Sequence, residues 1–159
     1  MITYRAIGVI RTPFKEPYGT PIQPSAALGI EGEVIIYPEF SEGLRDLDGF
    51  SHIILLYHCH LCKSYKLLVR PFLDKDIHGV FATRAPCRPN PIGLSVVRLL
   101  EIKGNKLRIS DVDIIDGTPL LDIKPYVPEF DERRVEKLGW LEKGVTYLKK
   151  VKDDGRFVR

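Results

Sequence analysis

The densest collection of chemically competent side chains lies in Phe81-Ala-Thr-Arg84-Ala-Pro86-Cys87-Arg88-Pro89-Asn90-Pro91-Ile92-Gly93-Leu94-Ser95. Its three prolines restrict the backbone while Arg84 and Arg88 project from it, so cationic donors are in place before anything binds. Arginine presents a planar fork of donors that suits a carboxylate or phosphate and also stacks on a base. The same residues read equally as a rigid loop whose arginines pair with structural carboxylates. A second cluster runs from Asp111 through Asp113, Asp116-Gly117-Thr118-Pro119 and Asp122 to Lys124-Pro125-Tyr126. Asp113 and Asp122 alternate with branched apolar residues, as in strands, and the Asp-Gly-Thr-Pro between them is a turn. Asp116 either faces a ligand or bonds turn backbone, as turn aspartates do. Lys124 and Tyr126 offer a cation and a phenol to a ligand, or a salt bridge and a core aromatic.

The third cluster, His58-Cys59-His60-Leu61-Cys62, has the spacing of half a zinc site. No second Cys-x-x-Cys or His-x-x-x-His occurs, so four ligands would require Cys87 or a remote histidine. A thioredoxin-like role lacks its βαβ context. His52, ahead of an apolar run, reads as a capping or satisfied core histidine. The chain contains no Gly-x-Gly, which removes both a dinucleotide loop and a glycine-rich methyltransferase loop. It also has no Gly-x-x-x-x-Gly-Lys phosphate loop and no Gly-x-Ser-x-Gly elbow.

The elements that must carry these clusters are mostly strands. Ile and Val number 28 against 5 Ala, a balance that fits pleated surfaces better than helices. Turn residues bound strand-like runs at 4–10, 33–37, 52–58, 79–83, 94–102, 106–112 and 121–126. Lys103-Gly-Asn-Lys106 between two apolar runs predicts a hairpin. Short strands without long helical patterns between them predict a mainly β fold, a single small antiparallel β-barrel, with one or two short helices N-capped by Ser41 and Asp131. The proline-rich stretches at 13–24 and 86–91 read as shaped loops on one body.

At 159 residues, 44% hydrophobic and 28% charged, the chain has the composition of one soluble globular domain and not of a disordered or fibrous chain. The net charge of +3 resides in the second half: 8 basic and 9 acidic residues precede position 80, and 16 and 12 follow. That surplus is compatible with a polyanionic partner and too small to require one. No run approaches a membrane span, and no signal or anchor is expected. Three cysteines, an odd number, predict no disulfide and a reducing cytoplasm. Side-chain amides are confined to Gln23, Asn90 and Asn105, a scarcity that fits growth at high temperature.

Beside this reading, the segments Ile7-Gly-Val-Ile-Arg-Thr-Pro-Phe14, Pro21-Ile-Gln-Pro24, Gly32-Glu33, Leu47-Asp-Gly-Phe-Ser-His52, Phe81-Ala-Thr-Arg84, Arg88 to Ser95 and Asp116 to Tyr126 closely resemble the TsaA-like family, also called TrmO, of tRNA N6-threonylcarbamoyladenosine methyltransferases. They follow the family order over roughly four fifths of the chain. The resemblance implies a barrel that binds S-adenosyl-L-methionine and works as a homodimer on tRNA, with the cofactor near the subunit interface. It carries cofactor contacts onto Gln23, Pro24, Ser25 and Ala26, onto His60, onto Arg88, Pro89, Asn90, Pro91, Ile92, Gly93 and Leu94, and onto Asp116, Gly117, Thr118 and Pro119. By charge, Arg84 and Lys124 are candidates for tRNA or the threonyl carboxylate.

The family reaction methylates N6 of an adenosine already carrying threonylcarbamoyl, beside the anticodon. That nitrogen belongs to a urea, so its lone pair is delocalised and a base that takes its proton would help. His60, Asp116 and Tyr126 are the candidates. Bacterial members are longer, and this short form looks archaeal. Residues 1–130 read as the barrel domain and 131–159 as a basic extension packed on it through Trp140, Leu141, Val145 and Leu148, or else as an RNA arm. The alternative readings are a non-enzymatic module binding S-adenosylmethionine or another nucleotide, and a zinc hydrolase or redox protein centred on Cys59 and Cys62.

Overall fold

Alternation of branched apolar residues gives strands with one face to bury, and in this chain those faces close on one another. The computed structural model describes residues 1–143 and 153. Its strands are β1 (Gly8–Arg11), β2 (Glu31–Ile36), β3 (His52–His58), β4 (Leu68–Val69), β5 (His78–Gly79), β6 (Ile92–Lys103), β7 (Lys106–Ser110) and β8 (Thr118–Pro125). β4 and β5 form a small ribbon; the others make a closed antiparallel barrel in the order β1-β2-β7-β6-β3-β8. Closure pairs both edges of every barrel strand, which removes the exposed edge of an open sheet. Ile10, Val34, Ile53, Leu55, Val97, Leu107, Ile109 and Leu120 fill the interior and are shielded completely from solvent.

The predicted hairpin joins β6 to β7, and Gly104 at its tip has φ 61°, the left-handed conformation that such a turn favours in glycine. Asn105 donates from its side-chain amide to the Ile36 carbonyl at 2.7 Å and ties this hairpin to β2. β3 lies between β6 and β8, with Tyr57 paired to Gly93 on one side and to Leu120 on the other. The end of β3 and the beginnings of β6 and β8 therefore share one mouth of the barrel.

Several expectations shift. The first strand begins at Gly8 rather than residue 4. The run 79–83 is no strand of its own: Gly79 ends β5 and Val80–Ala82 is a 3-10 turn, with Thr83 returning both its N–H and its hydroxyl to the Val80 carbonyl. Such local bonding by threonine competes with ladder pairing. Ser41 does not cap a helix; it lies inside the 3-10 helix Pro38–Leu44, which Pro38 opens, and donates to the Pro38 carbonyl. Asp131 ends the one-turn helix α1 (Pro128–Asp131), where its carboxylate accepts the Val127 N–H at 2.8 Å.

The extension folds back in part. The Trp140 indole donates to the Ala82 carbonyl at 2.8 Å and stacks on His78, with centroids 4.7 Å apart. Asp153 exchanges backbone hydrogen bonds with Gly19 and Thr20. Val145, Leu148 and the basic pair Lys149-Lys150 lie outside the described residues. No helix among the described residues is long and apolar enough to cross a membrane.

The expectation of no disulfide is overturned: Cys62 is bonded to Cys87 and Cys59 is the free thiol. The odd count excluded a complete set of pairs, not one pair. Because His58 pairs with Ile92, the loop leaving β3 and the loop entering β6 run side by side, and this brings the two Cα atoms to 5.2 Å. A disulfide inside a cell is rare in mesophiles but frequent in hyperthermophiles. Closing a loop of 25 residues restricts the unfolded chain by roughly 3 kcal/mol. Replacing Cys62 and Cys87 together by serine is therefore expected to lower the unfolding free energy by about 3 kcal/mol in denaturant titrations, and a reductant should reproduce the loss in the native chain.

Candidate functional site

The mouth opens into a cavity of about 670 Å³, within the range of small-molecule sites. Its floor is the barrel end, where Tyr57, Gly93, Asp113 and Thr118 meet, and its walls are the loops carrying Thr20–Ser25, Cys59–Cys62, Pro71–Leu73 and Thr83–Arg88. Trp140 and Asp153 close the far side. Gly93 is required here, because a Cβ at that position would overlap the Tyr57 ring. The ring lies flat over the glycine and directs its hydroxyl to Ser95.

A hydrogen-bonded chain links two floor residues through a buried serine. Tyr57 Oη is 2.8 Å from Ser95 Oγ, and Ser95 donates to Asp113 Oδ1 at 2.7 Å. Burial pushes Asp113 up to about 6 against the opposing hydrogen bond from Ser95 and the field of Arg84. Burial also pushes Cys59 up to about 11, with Arg88 opposing and Asp113 reinforcing. Burial, reinforced by Asp113, raises Tyr57 well above its ordinary value. His60 is held below the usual histidine range by partial burial and by the charges of His58 and Lys63. At neutral pH the Asp113 carboxylate and the protonated Tyr57 phenol in the floor therefore meet a protonated Cys59 thiol and a neutral His60 imidazole on the wall.

Of the residues expected at the site, Gln23, Ser25, His60, Arg84, Arg88, Ile92, Gly93, Leu94 and Thr118 line the cavity. Pro24 and Ala26 belong to the 3-10 turn following Gln23. Pro89, Asn90 and Pro91 lie behind the lining, where the Pro91 carbonyl accepts the Cys59 N–H at 2.7 Å. Arg84 donates to Gln23 Oε1 at 3.2 Å and is otherwise exposed. Arg88 is half-buried and donates to the Thr83 and Ala85 carbonyls, so it braces its own loop as well as facing the cavity.

Asp116 lies elsewhere. It accepts the Thr12 N–H at 3.0 Å and pairs with Lys15 at 2.9 Å, in a separate charged cleft with Arg11 and Glu33. Gly117, with φ 81°, donates to the Ile10 carbonyl and completes this turn beside β1; Pro119 follows within β8, paired with Val9. Lys124 pairs with Asp122 at 2.9 Å, and Tyr126 bonds the His52 carbonyl through its N–H. Lys124 is near the far end of β8 and Tyr126 just beyond it, about 20 Å along the strand from Thr118. Bonding of Cys62 to Cys87 takes two of the three thiols from the zinc reading.

Tyr57 and Trp140, floor and wall residues, lie outside the clusters read from the sequence, and Ser95 behind the floor and Asp113 in it were given no role of their own there. Asp113 was visible only as a polar position in a strand pattern. Its raised pKa makes a stability test: the unfolded carboxyl ionises near 3.9 and the folded one near 6, so the native state holds the proton longer. Stability from this group is complete below pH 4 and is lost as pH rises to 6. Asp113→Asn is expected to flatten that slope and to raise stability at pH 7 by up to about 3 kcal/mol in urea titrations.

Comparison with known proteins places this geometry. The family described as tRNA-methyltransferase O N-terminal domain matches residues 9–132. A probable S-adenosyl-L-methionine-binding protein of Pyrococcus abyssi is 67% identical over 99% of this chain and 85% of its own length. The tRNA (adenine(37)-N6)-methyltransferase of Escherichia coli is 38% identical over 79% of this chain, but only 57% of that longer enzyme is covered. The crystal structure of TrmO from Pseudomonas aeruginosa superposes with a TM-score of 0.74 at 39% identity, over 88% of this chain and 62% of that one. A match over most of the barrel in sequence and in structure means that the chain belongs to the TrmO family, the group its arginine loop and its Asp-Gly-Thr-Pro turn resemble.

Proposed function

We propose that the chain transfers a methyl group from S-adenosylmethionine to N6 of threonylcarbamoyladenosine in tRNA. The observation that carries this reading is the cavity itself: an apolar pocket with two arginines on one wall and a single carboxylate system in its floor. The residues fit S-adenosylmethionine. Ile92, Leu94 and Leu61 offer apolar surface to an adenine, and Arg88 lies beside the loop that would take a carboxylate. When bound, that cofactor supplies a methyl group on a sulfonium, an electrophile needing no further activation. The protein's part is then to hold the acceptor nitrogen in line, exclude water and accept a proton.

Arg84 is the residue best placed for the threonyl carboxylate. It is exposed at the rim, its side-chain partner is the neutral Gln23, and a charged ligand group gains more from guanidinium than an amide does. Lys124, already paired with Asp122 at the other end of β8, gives up that role. Apolar side chains border the mouth on the outside: Leu28 is 66% exposed, Phe81 74% and Leu94 47%. A second copy covering them would form the homodimer expected of the family and narrow the cavity entrance; a dimer mass in light scattering supports this, and a monomer at micromolar concentration contradicts it.

The test uses the purified chain, radiolabelled S-adenosylmethionine and two tRNA pools, one with threonylcarbamoyladenosine and one without. Label is expected only in N6-methylated threonylcarbamoyladenosine from the first pool. Label in neither pool, with cofactor bound, would favour a non-enzymatic binding module. Arg84→Ala is expected to cut the rate on modified tRNA by 10-fold to 100-fold, the loss of roughly 1.5–3 kcal/mol for a hydrogen bond to a charged group, while stability changes little.

A further inference from the structure

We propose that Tyr57, Ser95 and Asp113 form a proton relay that passes the N6 proton of the acceptor nucleoside through the buried Ser95 hydroxyl to the Asp113 carboxylate in the cavity floor. The inference rests on the methyl-transfer reading and supplies the base that reading lacks. Three separate elements converge to build the chain: the end of β3, the interior face of β6 and the segment after β7. Ser95 is 1% exposed, and its hydroxyl joins the two. Tyr57 and Asp113 line the cavity, whereas Ser95 is behind it.

The direction of the hydrogen bonds follows from valence. An ionised Asp113 has no hydrogen, so Ser95 donates to it, and the Ser95 oxygen then accepts the hydrogen of Tyr57. Tyr57 Oη, whose hydrogen is given to Ser95, then keeps acceptor capacity for the N–H of a nucleoside held in the cavity that Tyr57 lines. As N6 forms its bond to the methyl carbon, the sulfonium sulfur keeps the electron pair of the broken bond. The N6 proton passes to Tyr57, the Tyr57 proton to Ser95 and the Ser95 proton to Asp113. One proton reaches the carboxylate per methyl transferred, and a group ionising near 6 returns it to neutral solvent.

If Asp113 is protonated beforehand, every bond reverses and Tyr57 presents a hydrogen instead of a lone pair. The groups facing Asp113 are Tyr57, Cys59 and Arg84; the first two stay protonated near neutral pH and Arg84 favours the ionised carboxylate. Activity should therefore switch on as pH rises through about 6. His60, held neutral, is the competing base, and it has no place in this chain of bonds.

The experiment measures single-turnover methyl transfer to modified tRNA from pH 5 to 8.5 for the full chain and for Tyr57→Phe and Asp113→Asn, with S-adenosylmethionine binding followed by calorimetry. Carbon-13 carboxyl NMR follows the Asp113 titration in the full chain and in Tyr57→Phe. The wild-type rate is expected to rise with a midpoint near 6, both variants to lose roughly 100-fold or more with flat profiles, and cofactor affinity to change less than threefold. The Asp113 midpoint should move in Tyr57→Phe, which keeps the ring over Gly93. Wild-type rates and slope in Tyr57→Phe, or an Asp113 midpoint indifferent to it, would overturn the relay alone. No transfer by the wild-type chain with cofactor bound would overturn the methyl-transfer reading and the relay with it.

Discussion

Tyr57 fills the space that any side chain at position 93 would occupy, and the mouth of the barrel is organised around that contact. The pairing of β3 with β6 sets the two residues opposite one another, and the absence of a Cβ lets the ring lie down against the neighbouring strand. Lying there, Tyr57 reaches the hydroxyl of Ser95, which in turn reaches Asp113. A ring held away from the glycine would lose Ser95 and leave the serine bonded to Asp113 alone. The same pairing lays the two cavity loops side by side, so the disulfide and the arginine loop inherit their positions from it.

A carboxylate retained in a low-dielectric floor is costly to the fold. Most of the interior is built from fully enclosed aliphatic residues, and Asp113 is set at the border between that interior and the cavity. Its charge is tolerated through hydrogen bonds from Ser95 and from its own backbone and a guanidinium nearby, and the remaining penalty appears as a raised pKa. Functional sites are where such penalties accumulate. The charged cleft around Asp116 has the opposite character: the exposed Arg11 and Lys15 pair with a partly buried carboxylate whose pKa is lowered rather than raised, and the group stabilises a turn.

Much of the architecture is legible in the sequence. Alternating Ile and Val, the Gly104-Asn105 turn and the lack of helical periods led to a small antiparallel barrel, and the proline-braced arginine loop pointed to one wall of the cavity. What stayed hidden depended on register. Nothing local in His52–His58 says that Tyr57 faces a glycine 36 positions on, and nothing in the alternation around Asp113 says that this aspartate, rather than Asp116, turns inward. Asp116 sits in the more conspicuous motif, yet its carboxylate is spent on the Thr12 N–H and Lys15. The disulfide escaped for a related reason, since cysteine parity cannot reveal that two loops leave the barrel together.

Every role proposed for the side chains at the barrel mouth requires the cofactor to enter the cavity at β3, β6 and β8 and not the cleft beside β1. Methyl-resolved NMR of the full chain titrated with S-adenosylmethionine tests this most directly. Saturable shifts at Ile92, Leu94 and Ile115, with the Thr12 methyl unmoved, are the result expected. Shifts concentrated at Thr12 and around the Arg11–Asp116 cleft, with Ile92 and Leu94 silent, would contradict it.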